Sequence, residues 1–386
     1  MLNNDKKPKM GIMVCGHGSR DKGAESEFGR VAKGLRERFP GMPIEYGFLE
    51  FSAPNIHMGL NSLLNQGVEE IYAVPGMLFA ATHAKNDIPS VLTTYQEKEE
   101  NIKVAYGKEL GLQPAMIEAF QTRIYESLGI DPQKPPASLY DTLLVVVGRG
   151  TSDTMANAEV AKLTRIVNEN MGFGWADTVY SGVTYPSVGE GLERLSKLGF
   201  SKIVVAPYFL FTGRLIKRIY AYVDHVSEKF PDIEFIKTPY LNDHPKVIDA
   251  FEVRVREIME GQQADENLMS SFKRRLAAGE VEVHHHHAEF NQASHSHDHP
   301  HSQDHTHSHD HSHAHNHHDH HDHHDHSHDH GHSHGVYKHI GHPLGPRTMI
   351  GDGICNCFMR QFPAEILEEE KERIAKMSET TPIAHR

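Results

Sequence analysis

Early in this 386-residue chain stand three residues with the chemistry of a metal or proton site. His17 lies in Gly16-His17-Gly18-Ser19-Arg20, behind a short apolar run. Its flanking glycines let the backbone turn and leave room above the imidazole. His83 follows a second apolar run in Pro75-Gly76-Met77-Leu78-Phe79-Ala80-Ala81-Thr82-His83, and Glu50 closes Phe48-Leu49-Glu50. Two imidazoles with a carboxylate are borderline ligands suited to Co2+, Ni2+, Fe2+ or Zn2+. The same imidazoles can instead take protons from a substrate. Blander readings stand beside these. A histidine behind a strand is often a hydrogen-bonded loop residue, Gly-His-Gly-Ser can form an anion nest at a helix N-terminus, and Glu50 serves equally as a cap or surface group. Serine hydrolysis would need Gly-x-Ser-x-Gly on a strand-to-helix turn, which this segment lacks.

What must position these residues is a duplicated frame. Shifted by 132 residues, Val14-Cys15-Gly16-His17-Gly18-Ser19-Arg20-Asp21 falls on Val146-Val147-Gly148-Arg149-Gly150-Thr151-Ser152-Asp153. Pro54 falls on Pro186, Gly67 on Gly199, Pro75 on Pro207, and Leu78-Phe79 on Leu210-Phe211. Glycines and prolines shared at one offset each fix local backbone geometry, so chance coincidence is a poor account of them. Each half alternates strand and helix. Apolar runs at 10–15 and 142–147 read as strands buried on both faces. Helices are expected at 24–39 and 154–171, second strands at 43–49 and 177–183, and helices opening after Pro54 and Pro186. Third strands at 71–74 and 203–206, helices at 84–99 and 213–230, then a fourth strand and last helix complete each half. The expected fold is α/β: two homologous lobes, each a mostly parallel sheet flanked by helices, plus a disordered His-rich tail. Lobes are expected at 1–130 and 131–262, a linker with the His-rich segment at 263–335, and a terminal piece at 336–386.

In open α/β sheets ligands bind beyond the carboxyl ends of the strands, where His17, Glu50 and His83 fall. The second half differs there. Arg149 takes the place of His17, and Arg214 lies beside the place of His83 once one residue is gapped, with Lys217 and Arg218 close behind. Guanidinium groups grip carboxylates bidentately. The expected ligand is therefore small, anionic and in contact with a metal ion.

Composition narrows the classes. Of the formal charge of −13, −8 comes from 284–334, which holds 25 of the 33 histidines, eight acids and no Lys or Arg. The body is only mildly acidic, which argues against nucleic-acid binding on a basic surface. Three cysteines make no disulfide framework, and no run approaches the roughly 18 apolar residues of a membrane helix. The expectation is a reduced, cytoplasmic protein, without membrane or nucleotide.

Gly16-His17-Gly18-Ser19-Arg20, Phe48-Leu49-Glu50 with Pro54, and Pro75…Leu78-Phe79…His83…Asp87-Ile88-Pro89 resemble signature segments of class II tetrapyrrole chelatases, in particular sirohydrochlorin cobaltochelatases of the long, two-lobed CbiX type. The resemblance covers about residues 10–260. It implies ATP-independent insertion of Co2+ into sirohydrochlorin for cobalamin synthesis, with Fe2+ or Ni2+ inserted by related members. His17 and His83 would then be the metal-binding and proton-accepting pair, with Glu50 as a catalytic carboxylate. Arg149, Arg214, Lys217, Ser19 and Arg20 would hold the acidic tetrapyrrole.

The tail adds two features. Residues 262–283 read as a charged helix or linker. The His-Asp-Ser tract behind it, including His284, His297, His309, His320 and His328, cannot bury a core and should chelate divalent metal as an accessory store or delivery arm. As a coil its ends would lie about 40 Å apart. Cys355-Asn356-Cys357 departs from the Met-x-Cys-x-x-Cys motif that resembling long-form enzymes link to an iron–sulfur cluster. It is either such a cluster site or a soft-metal or redox pair. Four cysteine ligands would need two chains, which leaves a homodimer open. The reading from another class is a cobalt, nickel or zinc storage protein in which the body is a scaffold.

Overall fold

The computed structural model describes residues 8–99, 101–261 and 267–281. Strand β1 (Met10–Gly16) is central because it is apolar throughout: Ile12, Met13, Val14 and Cys15 are fully buried. It pairs in parallel with β2 (Ile44–Phe48) and β3 (Glu70–Pro75), and β4 (Lys103–Tyr106) adds beyond β3, giving the order β2-β1-β3-β4. The second lobe repeats this with β5 (Leu139–Gly148), β6 (Phe173–Tyr180), β7 (Lys202–Pro207) and β8 (Glu234–Lys237), in the order β6-β5-β7-β8. Both sheets are wholly parallel, as the βα alternation implies.

Helix α1 (Lys22–Arg38) starts where Asp21 caps it, accepting from Gly23 N, and buries the stripe Phe28, Val31 and Leu35. Its counterpart α5 (Thr154–Met171) is capped by Asp153 and ends at Gly172, whose φ of 67° suits only glycine readily. The helices α2 (Ile56–Asn65) and α6 (Val188–Leu195) do not start at their prolines. Pro54 and Pro186 stand in cis bonds one residue before the caps Asn55 and Ser187, whose side chains accept from Met58 N and Glu190 N. The second strand of the later lobe also stops sooner than expected, because 181–183 turns away and Val183 takes φ 66°.

The expected helix at 84–99 is two pieces: a π-helical turn at His83–Asp87, closed by Ile88 N–H to His83 O, and α3 (Ile88–Lys98). Its partner α7 (Arg214–Lys229) is regular from the start.

Each lobe's last helix reaches into the other. In the first lobe, α4 (Pro114–Ser127) sets Phe120 edge-on to Tyr208 at 5.1 Å, and Arg123 donates to Leu241 O at 3.1 Å. In return α8 (Pro245–Met259) packs on β3, with Arg254 donating to Glu109 O and Leu110 O. One apolar core therefore runs through both lobes, from Phe28 and Val31 to Val146, Tyr208 and Phe251. Burying so many large side chains in one core ties the lobes into a single body.

Beyond the second lobe, the segment expected as charged helix or linker forms α9 (Leu268–Ala277), anchored by fully buried Phe272. Among the described residues, no helix is long and apolar enough to cross a membrane.

Candidate metal centre

The centre is assembled by extensions of three neighbouring parallel strands. Past β1 and β2 the chain keeps pairing, with Leu49 N–H on Gly16 O at 2.9 Å and Glu50 N–H on His17 O at 3.1 Å. This closeness demands Gly18. Its φ is +97°, and a Cβ there would sit 1.7 Å from Glu50 O. The same loop is tied again by Ser52, whose hydroxyl donates to Ser19 O and accepts from Ser19 N–H. Ser19 Oγ in turn accepts from Asp21 N–H at 3.1 Å. Arg20 lies over the Phe51 ring at 4.8 Å, and Phe51 stands 6.1 Å from the His17 ring as a wall of the site.

His83 arrives on the π-turn behind β3. Its Nε2 lies 3.0 Å from His17 Nε2, and Glu50 Oε1 lies 3.5 Å from His17 Nε2. One ligand atom from each of His17, Glu50 and His83 falls within 4.8 Å of the others, which is the only such trio of His, Cys, Asp or Glu among the described residues. All three are half-buried, so a ligand reaches them without the fold opening.

The partners of the other ring nitrogens assign the tautomers. His17 Nδ1 faces Gly18 O at 3.1 Å, and His83 Nδ1 faces Asp87 Oδ2 at 2.6 Å. A carbonyl and a carboxylate only accept, so both Nδ1 atoms carry hydrogen, and in the neutral rings both Nε2 atoms present lone pairs. Two lone pairs 3.0 Å apart repel unless a proton or a cation lies between them. With metal–nitrogen bonds of about 2.0–2.1 Å, that separation would correspond to an angle of about 91–97° at the ion. The pair is therefore set to share a proton or to bind one divalent ion side by side, with Glu50 as a third donor.

Asp87 is the site residue that the sequence reading left without a role. Its signal was the i, i+4 spacing from His83, which puts both on one helical face. Cys15 lies fully buried in β1, and burial pushes its thiol well up, so it stays neutral and structural.

Lys217 Nζ is bound to Asp21 Oδ2 at 2.9 Å across the lobes, and this hydrogen bond holds Asp21 below the usual carboxylate range. Arg149 is exposed behind β5, with its carbonyl accepting from Ser181 Oγ at 2.9 Å. Arg214 is the first residue of α7, and its neighbour Gly213 approaches Ser19, with an ideal Cβ 4.0 Å from the Ser19 hydroxyl. The Ser19 loop and the start of α7 thus face each other. No gap is needed in the repeat here: Lys85 and Lys217 keep the 132-residue offset, so Leu215 takes the place of His83. His284, His297, His309, His320, His328, Cys355 and Cys357 lie outside the described residues.

The CbiX family model matches the chain twice, at residues 11–127 and 143–258, once for each lobe. A sirohydrochlorin cobaltochelatase of Priestia megaterium is 36% identical over 252 residues, covering 65% of this chain and 80% of that one. A sirohydrochlorin ferrochelatase of Bacillus subtilis is 28% identical over 249 residues, covering 64% and 92%. Among solved structures, SirB from Bacillus subtilis with Fe3+ superposes with a TM-score of 0.58 at 29% identity, covering 66% of this chain and 98% of that one. The sirohydrochlorin chelatase SirB from Bacillus subtilis subspecies spizizenii in complex with cobalt gives 0.56 at 26% identity, covering 67% and 99%. Duplicated lobes, each matched by the same family model over nearly all of its sheet, make this chain a member of the CbiX family of sirohydrochlorin chelatases.

Proposed function

We propose that this chain inserts Co2+ into sirohydrochlorin without ATP, as a step toward cobalamin. The observation that carries the reading is the 3.0 Å approach of His17 Nε2 to His83 Nε2 with Glu50 alongside. Insertion must strip ligands from a hydrated ion, take two protons from pyrrole nitrogens, and move the ion into the ring. Neutral imidazoles suit all three tasks, since they bind a borderline ion without the grip of a thiolate cage and accept protons near neutral pH. Asp87 supports the charge that His83 gains when it takes a proton, and fixes its ring orientation. Glu50 adds negative charge, which draws the cation from water and stabilises a protonated His17.

In this reading the N-terminal lobe carries the chemistry and the C-terminal lobe holds the substrate. Arg149 and Arg214, with Ser19 and Arg20 on the near side, bind its carboxylates. The His-rich segment binds metal as an accessory store.

The test is an absorbance time course of anaerobic sirohydrochlorin with Co2+, with and without protein, beside His17→Ala and His83→Ala. Acceleration that both substitutions abolish is the expected result. No acceleration over metal alone with Co2+, Fe2+ or Ni2+ would sink the chelatase reading for this chain. Faster insertion of Fe2+ than of Co2+ would make iron the physiological metal, in line with the ferrochelatase among its relatives.

A further inference from the structure

Helix α9 begins at Leu268, beyond the last residue matched by the family model, 258. It packs on the π-turn, on α3 and on β4. Arg275 reaches the turn with two hydrogen bonds, from Nη1 to Asn86 Oδ1 and from Nη2 to Lys85 O, both 2.8 Å. Phe272 is fully buried beneath it, and Thr93 Oγ1 meets Met269 Sδ at 3.5 Å.

A π-turn is rare and needs partners for carbonyls that leave the regular helical ladder. Here Ala84 O accepts from the buried Tyr106 hydroxyl at 3.1 Å, and Lys85 O accepts from Arg275. One clamp comes from inside the lobe and the other from α9. Were the turn to relax by one residue into regular helix, side chains upstream would rotate by about 100° about the axis. His83 would then no longer aim Nε2 at His17.

We propose that Arg275 is a positioning residue for the metal centre: from α9 it holds the π-turn in the register that sets His83 opposite His17. Its effect on turnover rests on the chelatase reading above, whereas its effect on the turn does not. The same two hydrogen bonds help to dock α9 alongside buried Phe272, so one side chain links the segment beyond the matched family region to the turn that carries His83.

The experiment uses the full chain with Arg275→Ala, Arg275→Lys and Met269→Ala, the last weakening α9 packing while sparing the clamp. Hydrogen exchange over residues 83–87 is read with β1 as internal reference, and kcat and KM are read with sirohydrochlorin and excess Co2+. Arg275→Ala should raise exchange in the turn by about tenfold with β1 unchanged, and lower kcat about tenfold with KM for sirohydrochlorin within about twofold. Arg275→Lys, which can still donate to Lys85 O, should recover part of both. Wild-type exchange in Arg275→Ala would overturn the proposal, as would equal losses in Met269→Ala. Should the wild type insert no metal at all, the chelatase reading fails while the exchange data still decide the role of Arg275.

Discussion

Lys85, two residues past His83, forms an ion pair with Asp153, the cap of α5 in the other lobe. The repeat-related pair, Lys217 with Asp21, closes the same gap from the opposite side at 2.9 Å. Two reciprocal bridges thus join the loop behind β1 of one lobe to the helix behind β3 of the other. Burial works to raise the Asp153 carboxyl, but the hydrogen bond from Lys85 and those from the α5 amides bring it below its ordinary value. A depressed carboxyl stabilises the fold above its unfolded value, about 3.9, and loses that contribution as pH falls through the folded value. Asp153→Asn keeps a capping side chain and removes only the charge. At pH 7 it should cost about 1 kcal/mol or less, given partial exposure, or about 2–4 °C in Tm. The gap from wild type should begin to narrow only below about pH 4 and close as pH falls past the lower folded value, which thermal melts at pH 7, 5, 3.5 and 2.5 will read. A gap that stays constant with pH would mean the bridge contributes nothing through its charge.

Asp87→Asn should leave the fold intact and lower kcat about 10- to 100-fold, the usual cost of losing the partner that orients a metal-binding imidazole. An amide can offer its oxygen to His83 Nδ1–H but supplies no charge to balance a protonated ring. The effect belongs in kcat, with KM for sirohydrochlorin little changed, because Asp87 reaches the substrate only through His83. Steady-state kinetics with excess Co2+ separate the two. A loss confined to KM would place Asp87 in substrate binding instead.

Gly18→Ala and Gly150→Ala form a matched pair. Each glycine has positive φ, and a Cβ would stand 1.7 Å from Glu50 O in one case and 1.8 Å from Gly182 O in the other. Both should destabilise by about 1–3 kcal/mol, the range for a backbone forced from such a conformation. Only Gly18→Ala displaces His17 and Glu50 together, so only it should abolish insertion. Gly150→Ala moves Arg149 and should raise KM for sirohydrochlorin while sparing kcat. Equal losses of kcat in both variants would mean that the lobes do not divide their labour.

The contrast between these residues shows what a sequence carries. His17, Glu50 and His83 were legible because each follows a short apolar run, and in a parallel sheet the ends of such runs converge. The duplication was legible because glycines and prolines mark backbone conformations that recur, as at Gly18 and Gly150. Asp87 lay in plain view four residues past His83, but such i, i+4 pairs are common on helices, and only the folded turn makes this one a 2.6 Å contact. Lys217 could be read as a cation facing a substrate, whereas its ion pair with Asp21 exists only once two lobes are set face to face. Phe272 is a large apolar residue in a stretch rich in charge, and nothing local says that its helix packs on the turn that carries His83.

The His-rich stretch at 284–334 separates the two functional classes. A storage protein would carry its function there, whereas the proposed chelatase would take its metal ligands from His17, Glu50 and His83 in the body. Deleting 284–334 should therefore leave kcat at saturating Co2+ within about twofold of wild type, because no ligand of the centre is removed. Total Co2+ bound per chain, measured by equilibrium dialysis, should fall sharply in the same variant. Binding by the intact stretch requires neutral imidazole, so it should weaken as pH drops through about 6.5. At limiting Co2+ the deletion should slow insertion if the stretch feeds the centre. An unchanged rate at limiting metal would make it a store alone, and loss of insertion at saturating metal would move the catalytic ligands into the stretch and out of the cleft.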